Sequence, residues 1–350
     1  MKIHNMLFGQ LPSGEDITIY TLDNTKMCVQ ILNYGGIIQS IKLNNKDGRV
    51  DDVVLGYDNL GNYLENPNYF GCIIGRHCNR IAKGRFTLNG VEYRLAANIG
   101  ANHLHGGNEG FNKKVWNVTV IEKEEAIGLD LKYISEDGEE GYPGTLTTHA
   151  RYLLTPQNEL HVEFSAQTDK DTIVNLTQHT YFNLSGFLSE TILDHELQIF
   201  ADHYTPINED LIPTGEIQYV KETPMDFREL KPIGKDIGAN FSQLKYGNGY
   251  DHNWVLKHID FHVRKAARVR DPISGRILEV FTTQPGIQLY TGNYLNGTIG
   301  KQSHSYKKHA GFALETQFFP DSPNQKEFPP SILKVGDTYM HKTIYRFTVE

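Results

Sequence analysis

Short strand patterns separated by turn residues constrain the fold of this chain more than any other feature of its sequence. Residues 85–94 alternate around an Asn-Gly pair, which accepts the positive φ angles of a type I′ hairpin turn. Residues 150–154 and 160–164 alternate on either side of a Thr-Pro-Gln-Asn turn. Residues 276–282 and 287–290 repeat the pattern around Gln-Pro-Gly. So many strand signals predict an all-β protein, a large antiparallel sandwich or barrel.

Helical periodicity is weak, and residues 238–245 offer one or two turns of helix at most. The 350 residues would suffice for one large domain or two smaller ones. A boundary near residues 169–171 is conceivable, but no change of composition marks it, and neither a fixed-length repeat nor a low-complexity linker occurs. We therefore predict a single domain over residues 1–350, with few short helices.

Composition narrows the classes of function. The formal net charge is -8, and no basic stripe is present, which argues against a nucleic-acid partner. The three cysteines form no C-x-x-C pair, which indicates reduced thiols and a cytoplasmic location. Residues 1–9 lack the apolar core of a signal peptide, and no stretch approaches the roughly 18 apolar residues of a membrane span. We expect no membrane association.

The most informative segment for function is residues 175–186, with the sequence Asn-Leu-Thr-Gln-His-Thr-Tyr-Phe-Asn-Leu-Ser-Gly. Its His179 is surrounded by amides, hydroxyls and aromatic rings, the groups that bind a polyhydroxylated ring. Histidine has the side-chain pKa nearest neutrality and can give or take a proton at working pH. Most of the fifteen histidines are expected to be structural, so a catalytic role for His179 also needs support from the other segments.

A second histidine, His105, lies in Asn102-His-Leu-His-Gly-Gly. The two glycines predict close backbone approach to a ligand and an exposed imidazole. His103, His105 and Glu109 also resemble the first metal motif of cupins, H-x-H-x3-E. That alternative requires a second cluster with a further histidine ligand, and the nearest candidate, from Pro143-Gly144 to His149, is poorly spaced. We therefore expect no metal.

Glu315 lies in the almost continuously apolar run Gly-Phe-Ala-Leu-Glu-Thr-Gln-Phe-Phe-Pro, residues 311–320. A carboxylate in such a strand is rare unless it is paired or functional. Burial should raise its pKa and make it a stronger base when ionised. The alternative is a carboxylate on the solvent face of a sheet.

Two further polar positions are candidates for ligand contacts. Asp251 precedes a strand that carries Trp254, and its two oxygens can accept from adjacent sugar hydroxyls while the ring packs on an aromatic side chain. Asn79 and Arg80 follow the apolar residues 71–75 and can donate to sugar oxygens, although Arg80 is equally suited to a surface ion pair. Phosphate-binding glycine motifs and a nucleophile elbow do not occur in the sequence.

Together these segments resemble the aldose 1-epimerase family over essentially the full chain. The supporting segments, in the family's order, are 75–84, 102–107, 141–144, 175–186, 249–254, 283–293 and 314–317. The motifs around His179 and His105 are specific. The resemblance implies a β-sandwich of the supersandwich type with an open groove, an aldose sugar as the small-molecule ligand, and no cofactor.

The resemblance also implies residue roles. His179 would be the general acid, Glu315 the general base and His105 the second histidine at the ring oxygen. The sugar contacts would come from Asn79, Arg80, Asp251 and Gln288, with Tyr181 near the site. The chain departs from the family at Gln178, where a shorter asparagine is usual, and at His77-Cys78, where small or apolar residues are more common.

Three readings of function remain open on the sequence. The first is a mutarotase that opens and recloses the sugar ring by acid–base chemistry; a carboxylate and a histidine in contact would then hold each other as a charged pair. The second is a sugar-binding protein on the same fold without turnover. The third is a cupin-like metal enzyme. A preference for hexose 6-phosphates would need additional basic residues, and both a monomer and a homodimer are compatible with the sequence.

Overall fold

The architecture consists of antiparallel sheets that enclose a common hydrophobic core. The computed structural model describes residues 1–187, 189–257 and 262–350. A nine-stranded sheet runs, in spatial order, through Asn117–Glu122, Ile127–Ser135, Leu146–Leu154, Glu159–Thr168, Tyr339–Val349, Arg276–Thr282, Arg264–Arg270, Glu196–Ile199 and Lys231–Pro232. A six-stranded sheet runs through Tyr181–Phe182, Phe312–Gln317, Gly286–Tyr290, Asp251–Val255, His203–Thr205 and Gln218–Tyr219.

Smaller sheets complete the β structure. A five-stranded sheet orders Lys2–Gln10, Asp16–Asp23, Met27–Leu32, Ile38–Asn44 and Val50–Asp52. The two-stranded pairs are Cys72–Ile74 with Thr177–His179, Arg80–Ile81 with His103–Leu104, Arg85–Leu88 with Val91–Arg94, Thr172–Ile173 with Ile332–Leu333, and Thr298–Ile299 with Ser305–Tyr306.

Helices are few and short, as predicted. Within the described ranges the α-helices are Leu60–Glu65 and Ser242–Gly247. The 3-10 turns are Ala82–Gly84, Phe111–Lys113, Glu139–Gly141, Ile233–Lys235, Lys301–Ser303 and Ser322–Asn324. The helix expected over 238–245 begins four residues later, since residues 238–241 form bends and turns before it. No helix in this part of the chain is both long enough and apolar enough to cross a membrane.

The predicted strands are present, and the fold is the antiparallel β-sandwich expected from them. Residues 85–94 form a hairpin in which Asn89 and Gly90 both have positive φ, 52° and 78°. The hairpin across the Thr-Pro-Gln-Asn turn joins Leu146–Leu154 to Glu159–Thr168. Arg276–Thr282 and Gly286–Tyr290 are also strands, but they belong to different sheets. The Gln-Pro-Gly segment therefore carries the chain from one sheet to the other.

One continuous hydrophobic cluster links the nine-stranded, six-stranded and five-stranded sheets. It contains Val29 of the five-stranded sheet, Leu129 and Val280 of the nine-stranded sheet, and Trp254 and Ile287 of the six-stranded sheet. Alternation along each strand sends these side chains inward. The opposite face of the six-stranded sheet carries the polar side chains described next, and Thr177–His179 packs beside its strand Phe312–Gln317.

Candidate active site

A cavity of about 540 Å³ opens over the polar face of the six-stranded sheet. This volume lies within the range of small-molecule sites. Segments far apart in the sequence supply its walls. Of the residues predicted from the sequence, seven line it: Asn79, Arg80, His105, His179, Tyr181, Asp251 and Glu315. The chain thus assembles nearly all predicted site residues in one place.

His179 and Glu315 face each other at the bottom of the cavity. Glu315 is central in Phe312–Gln317, and alternation places it on the cavity face while Phe312 and Leu314 enter the core. The Nε2 atom of His179 lies 3.5 Å from Oε1 of Glu315. The residues are only 4% and 2% exposed. The solvent-face alternative for Glu315 is therefore wrong.

Each member of this pair keeps one polar atom without a partner in the described part of the chain. These atoms are Nδ1 of His179 and Oε2 of Glu315, and both are buried. Buried polar atoms of folded proteins nearly always have hydrogen-bond partners. An unpaired nitrogen and an unpaired carboxyl oxygen beside a cavity are typical of groups that act on a bound molecule.

Burial also determines where the proton of the pair lies. It raises the pKa of Glu315 to about 8, with a further upward contribution from the negative charge of Asp251 and an opposing one from Arg80. Burial lowers the pKa of His179 to about 4. The charged pair expected from sequence is therefore not the resting form. Near neutrality these shifts favour one proton on the pair, held by Glu315, because burial disfavours the charged form of each group.

His105 is held as a neutral donor. The backbone N–H of Asn79 donates to its Nδ1 atom over 3.1 Å, so the hydrogen of the neutral ring resides on Nε2. Burial lowers the pKa of His105 well below its usual value, and His179 and Arg80 act in the same direction. Its ring centroid lies 5.1 Å from that of His179. His105 therefore presents an N–H group beside the catalytic pair.

The predicted exposure of His105 is wrong, since the residue is 7% exposed. Neither of the glycines after it, Gly106 and Gly107, lines the cavity. A β-carbon at Gly106 would overlap the carbonyl oxygen of Gly75, and one at Gly107 would overlap the carboxylate of Glu140. The glycines are needed because this loop packs tightly against neighbouring parts of the protein itself.

The cupin-like triplet is not assembled. The ring of His103 is engaged by the carbonyl oxygen of Ala96 and the hydroxyl of Tyr142. Glu109 bonds Lys113 at the surface. A different trio, His105, His179 and Glu315, has one potential ligand atom each within 4.8 Å of one another. These donors have the right types for a metal, and removal of metal by a chelator tests whether one is needed.

Asp251 begins the strand Asp251–Val255 and is tied to its neighbours on both sides. Arg80 donates to Oδ2 over 3.4 Å, and the amide nitrogen of Gln288 donates to Oδ1 over 2.7 Å. Gln288 itself is absent from the cavity lining and lies behind Asp251. The aromatic partner expected beside Asp251 is not Trp254, which points into the core because successive strand residues face opposite sides.

Several tyrosine side chains that line the cavity were not predicted from the sequence. Tyr69 packs edge-on against His105 with ring centroids 4.7 Å apart and lies 6.1 Å from the His179 ring. Tyr246, Tyr290 and Tyr294 line the cavity near Asp251. Tyr290 falls within the family-like segment 283–293 and was discoverable there. Nothing in the local pattern around Tyr69 distinguishes it from the other tyrosines.

The two departures from the family pattern differ in their relation to the cavity. Gln178 points away from it and donates to the hydroxyl of Tyr152 over 2.9 Å. The ring nitrogens of His77 contact the carbonyl of Cys78 and the hydroxyl of Ser331. Neither side chain lines the cavity.

Comparison with known proteins agrees with this geometry. The sequence model of the aldose 1-epimerase family matches residues 18–346. The chain belongs to the aldose 1-epimerase family, and it is therefore an enzyme of the isomerase class.

Similar proteins match over nearly their whole length. The chain is 46% identical to the galactose mutarotase of Bos taurus over 351 residues, which cover 100% of this chain and 99% of that protein. It is 36% identical to the aldose 1-epimerase of Escherichia coli K12, with 97% of each chain covered. The crystal structure of galactose 1-epimerase from Lactobacillus acidophilus superimposes with a TM-score of 0.88 at 30% identity and 99% coverage of both chains.

Proposed function

We propose that the cavity binds a galactose-type aldopyranose and that His179 and Glu315 move the protons that open and reclose its ring. The observation that carries the proposal is the buried pair of His179 and Glu315 beside the cavity, with Nε2 and Oε1 separated by 3.5 Å. Ring opening takes a proton from the C1 hydroxyl and gives one to the ring oxygen. Both oxygens are bonded to C1, so an acid and a base in close proximity suit the reaction.

The forward step needs Glu315 ionised and His179 protonated. Hydrogen bonds from sugar hydroxyls to Glu315 stabilise its ionised form, so bound substrate favours transfer of the shared proton to His179. Glu315 then removes the C1 hydroxyl proton while His179 protonates the ring oxygen. The bond between C1 and the ring oxygen breaks, leaving an aldehyde at C1 and a hydroxyl at C5.

Reclosure produces the other anomer. Rotation about the C1–C2 bond presents the opposite face of the aldehyde to the C5 hydroxyl. His179 takes back the proton from that hydroxyl, and Glu315 returns its proton to the carbonyl oxygen. The pair ends the cycle with the one proton it began with. Each positioned proton transfer contributes about 10²–10⁴-fold to the rate.

The remaining side chains have supporting roles in this proposal. The Nε2–H group of His105 donates to the ring oxygen region, beside the acid. Asp251 and Arg80 bind ring hydroxyls, Asn79 and Tyr181 shape the wall, and Gln288 holds Asp251. The names of the similar proteins favour galactose as the substrate, and glucose-type aldoses share the reacting atoms.

Polarimetry of freshly dissolved α-D-galactose tests the proposal. Wild-type protein should accelerate the relaxation of optical rotation. Glu315→Gln should lower kcat by at least about 100-fold, because the amide is isosteric but cannot accept the proton. Glu163→Gln, on a strand outside the cavity, is the matched control and should leave kcat unchanged. A Glu315→Gln variant that keeps a tenth of wild-type kcat contradicts the base assignment, and a wild-type protein that binds sugar without acceleration is a binding protein.

Three broader expectations accompany this function. We place the protein in the cytoplasm, since Cys28, Cys72 and Cys78 are free thiols. We infer a single domain, because the hydrophobic cluster contains residues from Leu22 to Phe347. A monomer or homodimer remains the expectation for its state in solution, and sedimentation analysis distinguishes the two.

A further inference from the structure

A chain of hydrogen bonds leads from Asp251 into the protein interior. The amide nitrogen of Gln288 donates to Asp251 over 2.7 Å, and its oxygen accepts from the amide nitrogen of Gln317 over 3.3 Å. The oxygen of Gln317 accepts from the thiol of Cys78 over 3.4 Å. Cys78 and Gln317 are fully buried, and Gln288 is nearly so.

The order of donors and acceptors along this chain has a chemical cause. An ionised carboxylate only accepts, so Gln288 must turn its nitrogen toward Asp251. Its oxygen then requires a donor, which Gln317 supplies by turning its own nitrogen the same way. The oxygen of Gln317 requires a donor in turn, and the thiol of Cys78 is that donor. Each link favours one of the two orientations of the next amide.

Burial keeps the last donor in its protonated form. It raises the pKa of the Cys78 thiol well above its usual value, and the nearby Glu315 contributes in the same direction. The S–H group is therefore present throughout the working range of pH. A small or apolar residue at this position, as is more common in the family pattern, would leave the Gln317 oxygen without this donor.

We propose that Cys78 is a positioning residue for sugar binding: through Gln317 and Gln288 it orients the amide that holds Asp251. The proposal rests on the role of Asp251 in the proposed function. It gives a role to Cys78, a residue that takes no part in the proposed proton transfers by His179 and Glu315. Cys78 contacts neither the cavity nor a reacting atom, so its effect belongs in KM rather than kcat.

Mutarotation kinetics of Cys78→Ala and Cys78→Ser test this role at a single position. Alanine removes the donor, and KM for galactose should rise about threefold to tenfold with kcat within about twofold of wild type, as expected for one lost hydrogen bond. Serine keeps a donor and should restore KM to within about twofold of wild type.

A double-mutant cycle shows whether the effect passes through the amides. Gln317→Met removes the middle link and should raise KM at least as much as Cys78→Ala. Adding Cys78→Ala to Gln317→Met should then change KM no further. Gln317→Met also keeps the proposal testable if Cys78→Ala does not fold.

Several results would overturn the proposal. They are an unchanged KM in Cys78→Ala, a serine variant as impaired as the alanine variant, a loss confined to kcat, or an effect of Cys78→Ala that is the same in wild type and in Gln317→Met. Failure of the proposed function itself would look different, because wild-type protein would then not accelerate mutarotation at all.

Discussion

Activity should fall on both sides of neutrality because only the singly protonated His179–Glu315 pair contains both an acid and a base. Below a pH of about 4, His179 gains a proton while Glu315 keeps its own, and the base is lost. Above a pH of about 8, Glu315 loses its proton while His179 is already neutral, and the acid is lost. The acid limb thus reports His179 and the alkaline limb Glu315, the reverse of the assignment that a charged pair would require.

The size of the effect follows from the separation of the two pKa values. With limbs near 4 and 8, the singly protonated pair predominates at pH 6 and becomes the minor form above pH 8. Beyond each limb, kcat/KM should fall about tenfold per pH unit. Between pH 5 and pH 7 the profile should be almost flat.

Polarimetry from pH 3 to pH 10, with the uncatalysed rate subtracted at each pH, measures the profile. The residual activity of His179→Asn should keep the alkaline limb, and that of Glu315→Gln should lose it. The opposite result, an alkaline limb that disappears with His179 and persists without Glu315, would show that the pair rests in its charged form. An activity that stays constant to pH 10 would show that it does not depend on a proton that leaves Glu315 near pH 8.

Three further outcomes are expected. Asp251→Asn should mainly raise KM, by about 1.5–3 kcal/mol of lost binding, in steady-state mutarotation; a collapse of kcat at constant KM would make it a catalytic group. Gly106→Ala should lower the free energy of unfolding by about 1–3 kcal/mol more than Gly48→Ala in urea denaturation, because both have positive φ but only the first β-carbon meets backbone, that of Gly75. Equal losses would refute that packing argument. Dialysis against EDTA should leave activity unchanged, and a loss that a divalent ion restores would assign a metal to the histidine–carboxylate trio.

The sequence determined the local structure and the chemical groups. Alternation and the Asn-Gly turn predicted the hairpin at 85–94 correctly, because a type I′ turn depends on only two residues. An isolated carboxylate among apolar neighbours identified Glu315 as buried. The specific motifs around His105 and His179 identified the family, which the comparisons confirm.

Only the tertiary structure decided how these groups interact. The packing of distant segments brings His105, His179 and Glu315 together, and the resulting desolvation raises the pKa of Glu315 and lowers that of His179. Packing also placed Tyr69 in the wall of the cavity, beside His105.

The same distinction applies to the chain of amides behind Asp251. No local sequence pattern connects Cys78 with Gln288 and Gln317. The two glutamines lie on one face of neighbouring strands of the six-stranded sheet, and the loop that carries the Cys78 thiol packs beside them. Local patterns specify which face a side chain takes, since that depends on alternation along one strand. Which partners it meets there depends on strand order and loop packing, which are properties of the whole fold.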